Sequence, residues 1–174
     1  TLPNIYSIGY YLEKEGFKII NNITWEKTNT TNKLAWRWTT HSTETILWAK
    51  KNIKNAKHTF NYSLMKEINN GKQMKDVWKG SITSQKEKEF GKHPTQKPLY
   101  LLDRIILASS NDGDVILDPF CGSGTTGVSA KQNGRMFIGI DNNKSYLELA
   151  QKRISNSLWR RNDYEKFWWM VGLF

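Results

Sequence analysis

The stretch from Asp114 to Thr126, reading DVILDPFCGSGTT, limits what this chain can fold into more than any other. Val115-Ile116-Leu117 reads as a short buried strand, 121–124 as a glycine-bearing loop and 125–133 as a helix. Gly122 and Gly124 accept backbone angles that other residues resist, and they let a ligand approach the main chain closely. The first amides of the following helix favour an anion such as a carboxylate. Asp118, at the carboxyl end of the strand, is placed to accept hydrogen bonds from a donor such as an ammonium group. Met136–Ile140 reads as a second buried strand ending at Asp141, the position where doubly wound folds carry the acid that binds ribose hydroxyls. A helix over 145–155 follows, with Tyr146, Leu149, Ala150 and Ile154 facing inward. Strand, loop, helix, strand and helix in that order predict an α/β fold with a parallel pair and a right-handed crossover.

Two common nucleotide loops do not match. The G-x-G-x-x-G spacing of dinucleotide sites is missing, and so is the lysine of a phosphate loop. A glycine pair after a strand also suits a plain tight turn, so the surroundings must decide. Upstream, residues 4–15 read as a helix with Ile5, Ile8, Leu12 and Tyr11 on one face, stopped by Gly16. Residues 17–25 and 43–50 read as strands, and 97–109 as a helix using Leu99, Leu102, Ile105 and Ile106.

Charge is unevenly spread. The whole chain carries +10, and residues 27–92 hold 14 Lys and Arg against 5 Asp and Glu. Residues 93–156 are almost balanced, at 7 against 6. The surplus therefore belongs to the middle of the chain and suggests a polyanionic partner, nucleic acid first. Lysine-rich 51–92 is weakly periodic and reads as a partly irregular excursion from the main fold. The single cysteine, Cys121, rules out a disulfide framework, suits a reducing compartment and reads as a small packing residue. His41, His58 and His93 lack metal-ligand spacing, so no metal is expected. No apolar run approaches the roughly 20 residues of a membrane span, and no secretory signal opens the chain.

With these elements laid out, a family resemblance becomes specific. Asp118-Pro119-Phe120-Cys121-Gly122-Ser123-Gly124-Thr125-Thr126 resembles the cofactor loop of amino-DNA methyltransferases. His93-Pro94-Thr95-Gln96-Lys97-Pro98 resembles the HPTQKP element of the same enzymes, and Ile138-Gly139-Ile140-Asp141 their second-strand element. The order is that of the beta class found in bacterial restriction–modification systems, and residues 1–50 resemble the part that follows its catalytic motif.

The resemblance implies S-adenosylmethionine as cofactor and duplex DNA as substrate. The implied reaction is methyl transfer to the exocyclic amine of adenine, with the cytosine amine as the alternative. It implies a partial Rossmann-like methyltransferase fold made of core (1–50), a basic target-recognition insertion (51–92), cofactor-binding core (93–156) and a tail (157–174) of unassigned role. The cofactor would meet His93, Pro94, Thr95, Gln96, Lys97, Asp118, Pro119, Phe120, Gly122, Ser123, Gly124, Thr125, Asp141 and Asn142. On the DNA side, Trp36, Arg37, Trp38 and Lys79 are the candidates, with Trp78 beside them, although Trp36 and Trp38 suit a core equally well.

The family's catalytic Asp/Asn/Ser-Pro-Pro-Tyr/Phe tetrapeptide occurs nowhere in 1–174, and Asp118-Pro119-Phe120 has one proline too few. Beta-class order puts that motif upstream of Thr1. The expected partners are therefore DNA together with a missing N-terminal part or a second copy, in a bacterial cytoplasm. A catalytically inactive DNA-binding remnant is the alternative from a different class.

Overall fold

The computed structural model describes residues 2–30, 39–158 and 169–173. The chain divides into two compact units, Thr1–His58 with Gln73–Ile82, and Thr59–Lys72 with Thr83–Phe174.

The first unit is a small sheet carrying one helix. Helix α1 (Leu2–Lys14) precedes strands β1 (Phe17–Lys27), β2 (Thr43–Lys51) and β3 (Val77–Gly80). The sheet order is β2-β1-β3, with β2 antiparallel and β3 parallel to β1. The seat of α1 differs from the expected stripe. Ile5, Gly9 and Leu12 are half-buried, whereas Ile8 and Tyr11 are exposed. Gly9 faces Ile19 and Leu47, so the helix is rotated to lay its smallest residue on the sheet. Trp25 and Trp78 lie opposite each other on β1 and β3 and are both buried. Trp78 donates from its indole to the Lys75 carbonyl at 2.8 Å. It is an interior residue of this sheet.

The second unit positions the glycine loop. Helices α2 (Tyr62–Ile68) and α3 (Leu99–Ser109) lead into β4 (Val115–Asp118), α4 (Thr125–Gln132), β5 (Met136–Asp141) and α5 (Lys144–Asn156). Strand β6 (Trp169–Leu173) closes the order, so the tail supplies a strand parallel to β5. The sheet runs β4-β5-β6, all parallel. One face is covered: Ile106 of α3, Val128 and Ala130 of α4, Phe137 of β5, Leu147 and Ile154 of α5 and loop residue Cys121 form one buried cluster. The other face of β4 and β5 is open. Val115 is 54% exposed, Leu117 59% and Ile138 38%. Among the described residues, no strand pairs with the outer edge of β4. Parallel sheets are usually covered on both faces, because helical crossovers pack against each side.

Asn61, at the start of α2, ties that helix to α3. Its side-chain amide donates to the carbonyls of Leu107 and Ser110, both at 2.8 Å, and its N–H to that of Ala108 at 3.0 Å. Carbonyls at a helix end otherwise lack intrahelical donors. The segment 51–92 is thus partly ordered, contributing α2, β3 and a short 3-10 turn at Lys86–Lys88. No helix among the described residues is long and apolar enough to cross a membrane.

Candidate functional site

The loop between β4 and α4 is held by its two flanking acids. Asp118 accepts the Phe120 N–H at 3.1 Å on one oxygen and the Thr126 hydroxyl at 2.6 Å on the other. Asp141, at the end of the neighbouring strand, accepts the Gly122 N–H at 2.9 Å and the Asn143 N–H at 2.9 Å. The two acids therefore both hold one loop, at the carboxyl ends of adjacent parallel strands, where open α/β sheets bind ligands. Each carboxylate oxygen keeps acceptor capacity beyond these bonds.

Gly122 and Gly124 have φ of +48° and +73°, in the left-handed region. A Cβ on Gly122 would sit 3.0 Å from His93 Nε2, and one on Gly124 would lie 2.7 Å from the Ala150 Cβ. The loop thus passes between His93 on one side and α5 on the other with no room for side chains. Its N–H groups also brace the turn: Cys121 donates to Ile140 O at 2.9 Å and Gly124 to Cys121 O at 2.7 Å. Asn143 caps α5, its side chain accepting from the Ser145 N–H at 3.0 Å, while Asn142 is exposed beside it.

The HPTQKP element reaches this loop through His93, whose ring packs edge-on against Tyr146 with centroids 4.3 Å apart. Burial holds the His93 pKa below its usual value; Asp141 opposes this, and Arg153 and Lys97 add to the depression. The neutral ring also suits the Thr95 N–H, which donates to Nδ1 at 3.3 Å. Gln96 is anchored behind the element, its side-chain amide donating to Glu87 O at 2.9 Å and its backbone carbonyl accepting from the Thr83 hydroxyl at 2.6 Å. Glu87 also accepts the first α3 amide, at Leu99, at 2.8 Å. Pro94 and Thr95 are exposed, Lys97 is half-buried and Pro98 is buried. Phe120 stands out from the loop at 86% exposure, next to the exposed Pro119.

Cys121 is buried, and burial, with Asp118 and Asp141 nearby, pushes its thiol up to about 11. It is protonated at neutral pH and packs at the loop base, in keeping with a packing role. Among the described residues no cluster of His, Cys, Asp and Glu could hold a metal. Lys79 is exposed on β3 and pairs with Glu26 at 3.2 Å. Trp36, Arg37 and Trp38 lie outside the described residues.

Three contributors escaped the sequence reading. Thr126 and Glu87 act through hydrogen bonds that no local pattern announces. Arg153 did carry a signal, because it interrupts the apolar face of α5 between Ala150 and Ile154. Tyr146 was placed on the inward face, but its partner His93 was not foreseen.

A parallel α/β sheet, a glycine loop gripped between two acids and a histidine-bearing segment laid over that loop define a Rossmann-like methyltransferase fold. The chain belongs to the DNA methylase family, which matches it over residues 3–152. It is 68% identical over 154 residues to the type II methyltransferase M2.DpnII of Streptococcus pneumoniae, covering 88% of this chain and 58% of that protein. It is 49% identical over 153 residues to the type II methyltransferase M2.MboI of Moraxella bovis, covering 88% and 56%. Among solved structures, an M1.HpyAVI–SAM complex aligns with a TM-score of 0.70 and 35% identity, over 88% of this chain and 71% of that one. The chain thus spans under three fifths of the curated relatives it matches.

Proposed function

We propose that this chain is the cofactor-binding and DNA-recognition part of a bacterial, cytoplasmic restriction–modification methyltransferase acting on the adenine amine of duplex DNA. The observation that carries the reading is that Asp118 and Asp141 both hydrogen-bond to the loop segment 120–126, with His93 against Gly122.

The residues suit S-adenosylmethionine. Gly122 and Gly124 let the loop pack tightly between His93 and α5, and the amides opening α4 favour a carboxylate. Gln96 adds a buried Oε1 with no hydrogen-bond partner among the described residues, an acceptor suited to a ligand rich in donors. When bound, the cofactor supplies an electrophilic methyl group on a sulfonium. In this reading Asp118 accepts from the ammonium, Asp141 from the ribose hydroxyls, and Lys97 balances the carboxylate. Thr95 and Gln96 add polar contacts. Pro94, Pro119, Phe120, Ser123, Thr125 and Asn142 line the cofactor's path, and exposed Phe120 is ready to be covered by it.

The chain's basic middle supplies the DNA side. Lysines there, Lys79 among them, meet phosphates, and Trp36, Arg37 and Trp38 serve recognition of the target base. The catalytic Pro-Pro element is carried by polypeptide outside these 174 residues, either the upstream part of the enzyme or another chain. Its strand pairs with the edge of β4 that is open among the described residues, and the same polypeptide covers the face formed by Val115, Leu117 and Ile138. A second copy of this chain is the alternative partner.

The experiment is a titration of the chain with S-adenosylmethionine, followed by assays of methyl transfer to duplex DNA. We expect weak binding, no transfer by the chain alone, and transfer to adenine once a fragment carrying the tetrapeptide is added. A labelled cytosine amine would move the reaction to the alternative base. Binding that never yields activity would favour the inactive DNA-binding remnant. Methylation by the chain alone would refute the division of labour.

A further inference from the structure

We propose that Arg153 is a positioning residue for the methyl donor, holding the loop that receives the donor's amino-acid end. The inference rests on the cofactor reading above and assigns the loop's shape to a side chain on the far side of it.

Arg153 lies on α5 and is 6% exposed. Its Nη1 donates to the Ser123 carbonyl at 2.6 Å, the Ser123 hydroxyl at 3.0 Å and the Thr125 hydroxyl at 3.0 Å. Those two residues flank Gly124, the residue with left-handed backbone that starts α4. One turn earlier on the same face of α5, Ala150 fills the space beneath Gly124. The helix thus acts as a template: a small residue makes room for the glycine, and a guanidinium clamps its neighbours on both sides.

All three acceptors are neutral, which is an expensive setting for a buried cation. Burial lowers the Arg153 pKa, and Glu87 only partly opposes this. A salt bridge or an apolar residue would fill the same space at lower cost. The geometry suggests what the arginine provides instead. It fixes one peptide carbonyl and two side-chain hydroxyls at the mouth of α4 before any ligand arrives, and it places positive charge behind amides suited to a carboxylate.

The test uses the full chain and two ligands, S-adenosylmethionine and 5′-methylthioadenosine, which lacks the amino-acid end. For Arg153→Met, affinity for the first is expected to fall about tenfold or more while the second changes less than about threefold, because loop preorganisation matters only where the loop is used. Arg153→Lys should recover part of the loss. If Arg153→Met does not fold, Arg153→Gln, which keeps an amide donor but loses the guanidinium charge and reach, should give the same selective loss. Unchanged binding of S-adenosylmethionine, or equal loss for both ligands, overturns the proposal. If the unmodified chain binds neither ligand, the cofactor reading fails and this inference falls with it.

Discussion

His93 shows how one side chain can serve the loop and tie the site to pH. Its ring fills the space above Gly122 and rests on Tyr146, and burial depresses its pKa from the usual 6.5. Between that depressed value and 6.5 the unfolded chain binds more protons than the folded one, so stability rises with pH across the window. Lowering the pH from neutral should start to cost stability near 6.5 and finish below the folded-state pKa. His93→Gln should flatten this dependence, as read from urea midpoints at about pH 7.5 and about pH 5.5. An equally steep loss in the variant would assign the pH response to another group. Both His93 and Gly122 were legible in the sequence as members of two motifs. That they touch each other was not, because 28 residues separate them and nothing local encodes the distance.

At the scale of elements, the two kinds of periodicity fared differently. Strands β4 and β5 fall where short apolar runs bounded by Asp114, Asp118 and Asp141 predict them. The helices were found, but their buried faces were turned. On α5 the expected stripe was Tyr146, Leu149, Ala150 and Ile154; the buried residues are Leu147, Ala150, Arg153 and Ile154. The stripe is set by what lies opposite, and here Ser123 and Thr125 reward an arginine on a face that hydropathy would give to an apolar residue. On α1 the same effect turns Gly9 toward the sheet. A methyl group there would lie 3.7 Å from Ile19 Cδ1 and 3.8 Å from Leu47 Cδ1, ordinary contact distances. Gly9→Ala should therefore stabilise the chain by about 1 kcal/mol through helix propensity alone, seen as a higher urea midpoint. A lower midpoint would mean the helix has no slack against β1 and β2. Gly127 is the opposite case. Its Cβ would fall 2.4 Å from Ile154 Cδ1 and 2.6 Å from Phe137 Cε1, so Gly127→Ala should cost about 1–3 kcal/mol by overpacking.

For the whole molecule, the open face of β4 and β5 is the feature with most consequence. Val115, Leu117 and Ile138 form an apolar surface that the rest of the enzyme is proposed to cover. Leu117→Lys should leave S-adenosylmethionine binding close to that of the unmodified chain, since Leu117 points away from the covered face that carries the loop. It should weaken assembly with an upstream fragment by about tenfold or more, the cost of a charge in an apolar interface. Assembly at unchanged affinity would show that the fragment docks elsewhere. The amino-acid sequence alone determined the order of elements over 97–155, the glycine loop with its two acids and the basic character of the middle segment. These depend on neighbours in sequence, on composition and on short motifs. Tertiary structure alone decided that Arg153 hydrogen-bonds the loop, that Trp78 is interior, and that residues 169–173 join the sheet beside β5. Burial and pairing depend on which surfaces meet across long separations, and a linear pattern does not record that.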